Sequence, residues 1–354
     1  MSHGGISTAV GALVRVLSAQ TGRVGVISYD EWRPRNSKGV PDDIHRSQDL
    51  WRLRTPKAAR SLITSEPFEG VGRVVVHHPL LWEDGLALSR RVNAPADFVV
   101  HVDALHVADL TNRELPPQYL QLQERIVREA TRLVALSRDV FNRWSANYPD
   151  ASIHLAPLPL AVQNEINPKL GNEAILSVGR FDYVKGTDIL GETISTVLSQ
   201  QPECRWTHVG GNPASPKTER RWKRKLEGAL SKTQLERFKV LPWLAPDELK
   251  TQYRNSALVV VPSRYETFGL VAREAISHAV PVVAFDVGGL KDILTDGVTG
   301  RQVEEITSAA LAKAVVGAID ELGVQPRCWS DGTFQRSKEL ELQAERSWLG
   351  LYRA

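Results

Sequence analysis

The stretch Leu258–Asp292, LVVVPSRYETFGLVAREAISHAVPVVAFDVGGLKD, decides the fold of this chain. Its opening apolar run, Leu258 to Val261, predicts a buried strand, which Pro262 and Ser263 break. A loop follows. A helix is expected from Phe268 or Gly269, with Leu270, Val271, Ala275 and Ile276 as its buried stripe. Pro281 leads into a second apolar run, Val282 to Phe285, closed by Gly288-Gly289. Strand, loop, helix and strand in that order make one unit of a parallel α/β sheet.

Two carboxylates lie inside it, Glu266 and Glu274, in an E-x7-E spacing. On one helix they would stand roughly 12 Å apart along the axis and about 80° apart in direction, too far for one small ligand. With Glu266 in the loop and Glu274 in the second helical turn, both can face one pocket at the helix N-terminus. Backbone N–H groups from about Phe268 to Leu270 are free there and suit a phosphate or a sugar hydroxyl. The same spacing also fits two solvated glutamates on an amphipathic helix, so the neighbouring motifs decide.

Upstream, Ala174 to Val178 predicts a strand, followed by GRFDYVKGTDIL. Gly179 and Gly186 flank two cations, Arg180 and Lys185. A loop of this kind can hold a diphosphate, with arginine as a planar fork and lysine as a point charge. It reads equally well as a basic surface turn. Strand Thr207 to Val209 runs into Gly210-Gly211, and Lys217 to Lys225 is a basic helical run that reads best as a solvated face. Strand Lys239 to Leu241, helix Ala245 to Tyr253, helix Thr307 to Glu321 and a last helical segment, Trp329 to Tyr352, complete the second half.

The first half alternates strands and helices of similar length, which predicts a Rossmann-like domain. Ser7 is expected to cap a first helix with Val10, Leu13, Val14 and Leu17 as its stripe, and Gly4-Gly5 stands before it. No strand precedes that glycine pair, so the first strand of a doubly wound sheet is expected to be missing, with the natural start upstream. Val24 to Ser28 reads as a strand and Tyr29 to Ala59 as polar and irregular. Strands Val74 to Val76 and Phe98 to His101 end in His77, His78 and His101, at carboxyl edges where ligands of open α/β sheets bind. Gln118 to Ala130 is helical, Arg132 to Leu136 a strand, and Ser137 caps the next helix. Ile153 to Ala156 is a strand ahead of a Pro-rich turn.

The bulk properties fit a two-domain soluble enzyme. The chain has 354 residues, 42% of them hydrophobic and 24% charged, with a formal net charge of +3. That charge is too small to argue for nucleic acid and is compatible with anionic ligands or an anionic membrane surface. Cys204 and Cys328 form neither a metal-ligand spacing nor a disulfide framework, which fits a reducing cytoplasm. No apolar run is long enough to span a bilayer, and no signal peptide is expected.

Taken together, GRFDYVKG, HVGG, VPSRYETFGLVAREA, PVVAFDVGGLKDIL and DGVTGRQV stand in the order and spacing of a known family. They resemble the retaining GT-B glycosyltransferases with the E-x7-E motif, of the group 1 or family 4 type. The resemblance is strong from Ile175 to Val303 and looser in the first half, through GG, HHPL, VHVD and LVALS. It implies two Rossmann-like domains facing across a cleft: residues 1–162 on the acceptor side, 163–335 for the nucleotide-sugar, and 336–354 as a helix crossing back to the first.

The resemblance also implies residue roles. Arg180 and Lys185 would hold the donor diphosphate, Glu274 the nucleotide ribose, and Glu266 would face the transferred sugar. Phe268, Gly269 and Leu270 would contact sugar hydroxyls and phosphate through the backbone. His101 would lie near the donor sugar, and Gly4-Gly5 would approach the donor phosphate or the acceptor. No metal and no cofactor are expected. The implied partners are a nucleotide-sugar and a glycan, lipid-linked or small-molecule acceptor, in surface polysaccharide or glycoconjugate synthesis. The implied location is the cytoplasm, with peripheral contact at the inner membrane face. Departures from the family pattern are Val102 between His101 and Asp103, Ala279 for a usual glycine, APLPLAV at the domain junction, and Asp292 for glutamate. Two other readings share the fold: a nucleotide-sugar epimerase, separated by turnover without acceptor, and an inactive nucleotide-sugar-binding subunit, separated by binding without turnover.

Overall fold

The computed structural model describes residues 5–21, 24, 26–29, 50–53, 70–160, 173–211, 215–325 and 329–352. The chain forms two compact units: Met1–Pro159 with Gln343–Ala354, and Leu160–Leu342. Gly4 and the residues ahead of it, where the first strand was expected to be missing, lie outside the described residues.

In the first unit, helix α1 (Gly5–Thr21) buries Ala9, Ala12, Leu13 and Leu17. Ser7, expected as its cap, lies inside it, and Val10 and Val14 are only half-buried. The inward face carries small alanines instead, which permit close packing. Strand β1 (Val26–Tyr29) pairs in parallel with β2 (Leu50–Leu53). The segment holding β2 read from sequence as irregular; of its four residues only Trp51 is of a strand-favouring type. The chain continues through β3 (Val74–Val76), α2 (Trp82–Val92), β4 (Ala96–Val100), α3 (Ala104–Thr111), α4 (Pro117–Glu129), β5 (Arg132–Ala135), α5 (Arg138–Asn147) and β6 (Ile153–Leu155). Strands β3 to β6 form one parallel sheet in chain order. Its core joins Val76, Trp82, Phe98, Ile126, Leu133 and Trp144. Helix α3, absent from the sequence reading, is capped by Asp103, whose carboxylate accepts the His106 N–H at 3.4 Å.

The second unit runs β7 (Ala174–Val178), α6 (Thr187–Gln200), β8 (Arg205–Val209), α7 (Pro216–Gly228), α8 (Lys232–Leu235), β9 (Phe238–Leu241) and α9 (Pro246–Arg254). It continues with β10 (Leu258–Val261), α10 (Leu270–Ser277), β11 (Val282–Phe285), α11 (Leu290–Ile293), β12 (Gly300–Val303) and α12 (Ser308–Val324). Its six strands are all parallel, in the order β12-β11-β10-β7-β8-β9. The chain moves outward from β7 to β9, then returns to place β10 on the other side of β7. The loops after β7 and β10 therefore leave the carboxyl edge side by side, at the switch point where such sheets bind ligands. Every residue of β10 and β11 is buried, as expected of strands covered on both faces.

The last helix, α13 (Ser330–Tyr352), contributes its first turns to the second unit and its last turns to the first. Leu342, read as part of its apolar stripe, is exposed, while Ala344 and Trp348 are fully buried. In the second unit α13 also explains a correction to α10. Leu270 and Val271 of α10 are half-buried, whereas Ala272 and Arg273 are buried with Ala275 and Ile276. Leu340 joins the apolar cluster of Ala272, Ala275 and Ile276, and Glu341 pairs with Arg273 at 3.3 Å. A helix covered on its outer side keeps no clean amphipathic stripe. Among the described residues no helix is long and apolar enough to cross a membrane.

Candidate functional site

The loop after β7 is shaped by Asp182. Its carboxylate accepts the Lys185 N–H at 2.8 Å, and its own N–H donates to the Thr187 hydroxyl at 3.0 Å. Gly186 then turns with φ +67, a left-handed conformation that favours glycine. A Cβ at Gly186 would stand 1.8 Å from the Pro262 carbonyl oxygen, so the glycine also lets this loop touch the loop after β10.

Arg264 laces the two loops together. Its N–H donates to the Val184 carbonyl at 2.8 Å, and its guanidinium grips Asp188 through two bonds of 2.6 Å. The guanidinium also lies over the Tyr183 ring, 3.9 Å from its centre. This planar fork-to-fork pairing is the strong geometry for an arginine. Nothing in the sequence pointed to Arg264; its partner is far upstream in the chain.

Across this seam the structure brings Lys185 and Glu266 together. The lysine Nζ stands 2.6 Å from Glu266 Oε1, and the Ser263 hydroxyl donates to the same oxygen at 2.7 Å. Glu266 is buried and lies in the loop, outside α10. Its carbonyl accepts the Gly289 N–H at 2.7 Å, and a Cβ on Gly288 would come within 2.1 Å of that carbonyl. The Gly-Gly pair after β11 is thus the support under Glu266. Arg180, the other loop cation, has a largely exposed side chain, with Asp182 at 3.4 Å.

Gly269 caps α10 with φ +85, and Phe268 before it is buried. The Arg273 N–H reaches back to the Gly269 carbonyl at 3.0 Å. The N–H groups of the first turn, Leu270 onward, therefore lack intrahelical acceptors and carry the positive end of the helix dipole. Glu274 sits one turn further, and its partner is on another helix. The Tyr253 hydroxyl donates to Glu274 Oε2 at 2.8 Å. Burial raises the Glu274 carboxyl from its ordinary 4.5 to about 7, against the lowering effect of the tyrosine bond. Glu266 and Glu274 thus answer to different partners, the first to the seam and the second to α9.

Beneath the β7 loop, His208 Nε2 is 3.2 Å from the Gly179 carbonyl and Nδ1 is 2.9 Å from the Ser177 hydroxyl, which also accepts the Trp206 indole N–H at 3.0 Å. The carbonyl needs a donor, so Nε2 carries the proton and Ser177 donates to Nδ1. Burial lowers His208 to about 4, which keeps this brace neutral.

In the first unit, His101 is buried at the end of β4 and His77 at the end of β3 faces it. His77 Nδ1 and His101 Nε2 are 3.0 Å apart. Burial lowers His77 to about 4; burial, then the neighbouring His77 and His78, push His101 well below its usual value. Two such imidazoles share one N–H and stay neutral. His78 is spent locally, its Nδ1 accepting the Leu80 N–H at 3.2 Å. Gly5 opens α1, and Gly4 lies outside the described residues. Among the described residues no cluster of three metal-ligating side chains occurs.

Comparison with known proteins agrees with this architecture. The family model for glycosyl transferases group 1 matches residues 172–321. A D-inositol 3-phosphate glycosyltransferase of Frankia alni is 32% identical over 295 residues, covering 75% of this chain and 70% of that protein. A namesake from Acidothermus cellulolyticus is 30% identical over 268 residues, and the matched part spans only 58% of its length. Among solved structures, the sucrose-phosphate synthase of Thermosynechococcus elongatus superposes with a TM-score of 0.76 at 22% identity, over 99% of this chain and 93% of that one. Anabaena Alr3699/HepE, solved with UDP and glucose, gives 0.70 at 15% identity, over 98% and 96%. The fold is the GT-B fold, and with a relative of this identity and coverage the chain belongs to the glycosyl transferases of group 1.

Proposed function

We propose that the protein transfers a sugar from a nucleotide-sugar to an acceptor hydroxyl, with retention at the anomeric carbon. The observation that carries this reading is the Lys185–Glu266 contact of 2.6 Å at the switch point of the second sheet. It sets a diphosphate-binding cation against a carboxylate able to accept sugar hydroxyls, beside the free N–H groups that open α10. In the reaction the bond from C1 to the diphosphate oxygen breaks and the bond from C1 to the acceptor oxygen forms. The acceptor proton passes to the leaving diphosphate, so no protein nucleophile is assigned. Lys185, Arg180 and the α10 N-terminus stabilise the charge that grows on the diphosphate. Glu266 orients the sugar through its oxocarbenium-like state. Glu274 takes the ribose hydroxyls. His101, held neutral, serves the sugar as a hydrogen-bonding partner and not as a cation.

The acceptor reading rests on the relatives, which are named for D-inositol 3-phosphate and for kanosamine transfer. The first name supports a small polyhydroxylated acceptor ahead of a glycan or lipid-linked one; the second names only the sugar that is transferred. Because two cations and a helix N-terminus already meet the diphosphate, the reaction is expected to run in EDTA.

The test is nucleoside diphosphate release from UDP- and GDP-sugars, with and without D-inositol 3-phosphate and other polyols. Release that requires an acceptor supports transfer. Lys185→Ala should weaken donor binding by about tenfold or more, the loss of a charge-assisted contact. Glu266→Gln should lower turnover more than donor affinity. Interconversion of the nucleotide-sugar without an acceptor, or wild-type donor affinity in Lys185→Ala, would overturn the reading.

A further inference from the structure

We infer that Tyr253 of α9 is the positioning residue of the nucleotide site: its hydroxyl fixes Glu274 Oε2 and leaves Oε1 free for the ribose. This rests on the reading of Glu274 as the ribose ligand. The support is geometric. Tyr253 is buried at 1% exposure, and its hydroxyl donates to Glu274 Oε2 at 2.8 Å. A hydroxyl has one proton, so the bond is directed and selects one of the two carboxylate oxygens.

The tyrosine ring is itself held. It stacks on His278, with centroids 5.5 Å apart and planes 18° from parallel. His278 Nδ1 lies 2.8 Å from the Glu274 carbonyl, so that nitrogen is the donor, and Nε2 is buried without a partner among the described residues. The ring is therefore a neutral platform, fixed to α10 at the same residue whose side chain the tyrosine engages. Tyr253, His278 and Glu274 form a closed loop of contacts between α9 and α10. A tyrosine present only to fill space would need no such return to one residue.

The electrostatics point the same way. The side chain that acts on this carboxyl is Tyr253 of α9; His278 meets the Glu274 carbonyl and is held below its usual value first by burial, against that backbone bond, and then by Arg254 and Lys250 of α9. Burial disfavours the Glu274 carboxylate, and the Tyr253 bond is what opposes burial. Ribose hydroxyls donate their protons, so they need the ionised carboxylate. Removing the tyrosine hydroxyl should then push the Glu274 midpoint further above neutrality. An upward move of one unit from a midpoint near 7 would cut the ionised fraction at pH 7 from about a half to about a tenth, about fivefold.

The experiment is calorimetric binding of UDP, with GDP as the second probe, from pH 6 to 9, to wild type, Tyr253→Phe, Glu274→Gln and the double variant. Phenylalanine keeps the ring and its stacking and removes only the hydroxyl. Tyr253→Phe should bind about three- to tenfold more weakly at pH 7, with the deficit closing by pH 9. Glu274→Gln should bind weakly at every pH, and the double variant should lose nothing further. If Glu274→Gln binds as wild type, or neither nucleotide binds, the ribose reading falls and this inference with it. If Glu274→Gln is weak but Tyr253→Phe keeps the wild-type affinity and pH midpoint, the positioning role alone is overturned. A Tyr253→Phe defect that adds fully to that of Glu274→Gln, at all pH values, also overturns it. Should Tyr253→Phe fold poorly, the cycle is read from the double variant against Glu274→Gln, where the tyrosine hydroxyl should be worth nothing to nucleotide affinity.

Discussion

Glu274 stands out at the residue scale because its environment works against its charge. Its carboxyl is raised from 4.5 to about 7 by burial. The folded state therefore holds this proton at pH values where the unfolded chain has released it. The sign follows from linkage: stability from this group is full below about 4.5 and is lost as pH rises toward 7. Replacing it with glutamine removes the cost of the buried charge. Glu274→Gln is expected to be more stable than wild type at pH 8, by on the order of 2–3 kcal/mol, and no more stable at pH 4. Denaturant melts at the two pH values check this. An equal difference at both would mean that the charge is not what destabilises the site. The same substitution is expected to weaken nucleotide binding, so the stability gained and the function lost come from one carboxylate. Arg264 is the opposite case, a charge fully met by Asp188, and it shows that an ion pair in this region can be scaffold as readily as binding group.

At the scale of elements, the end of α10 shows what a single departure from the family pattern does. The Val280 N–H bonds the Ala275 carbonyl at 3.1 Å and the Ala279 N–H bonds the Ile276 carbonyl at 3.0 Å, the paired closure of a Schellman turn. That turn needs a left-handed residue, and Ala279 supplies it at φ 57. A Cβ in that conformation costs about 1–2 kcal/mol, partly offset by the greater freedom of glycine in the unfolded chain. Ala279→Gly is expected to raise stability by roughly 0.5–1 kcal/mol and to leave nucleotide affinity unchanged; a lower melting temperature would contradict this. The β10–α10–β11 unit was readable from sequence because its strands are uninterrupted apolar runs bounded by Pro262, Pro281 and the Gly288-Gly289 pair. The buried face of α10 was not, because Leu340 and Glu341, which cover it, arrive much later in the chain. Helix α3 was missed because its signal is one capping aspartate, and β2 because a four-residue strand carrying Arg52 has no clean period. The Lys185–Glu266 contact follows from strand order, and the partner of Glu274 from the packing of α9 on α10; neither is written in local spacing.

At the scale of the whole molecule, the chain has two compact units and one helix that belongs to both. The last turns of α13 are fixed within the first unit. The Trp348 indole N–H donates to the Pro157 carbonyl at 2.8 Å, and its ring lies 6.1 Å from that of His77. Four residues on, the Tyr352 hydroxyl meets Asp97 at 3.1 Å, a fully buried carboxylate also bonded to Arg73 at 2.8 Å. Burial raises Asp97, while Arg73 and Arg132 lower it. The Lys185, Glu266 and Glu274 contacts, by contrast, lie wholly within the second unit. This division predicts a separation of effects. Trp348→Ala removes a fully buried side chain and leaves the Pro157 carbonyl without its donor, a loss of about 3–5 kcal/mol. The loss should fall on the first unit. Thermal unfolding is expected to show an earlier transition, while nucleoside diphosphate affinity at a temperature below it stays within about twofold of wild type. Transfer activity should fall, because the His77–His101 pair loses the ring beside it. Calorimetry followed by nucleotide titration makes the comparison, with Lys185→Ala as the reference for a lost binding group. If Trp348→Ala weakened nucleotide binding as much as Lys185→Ala does, the nucleotide site would depend on the first unit's core, and the assignment of nucleotide binding to the second unit alone would not stand.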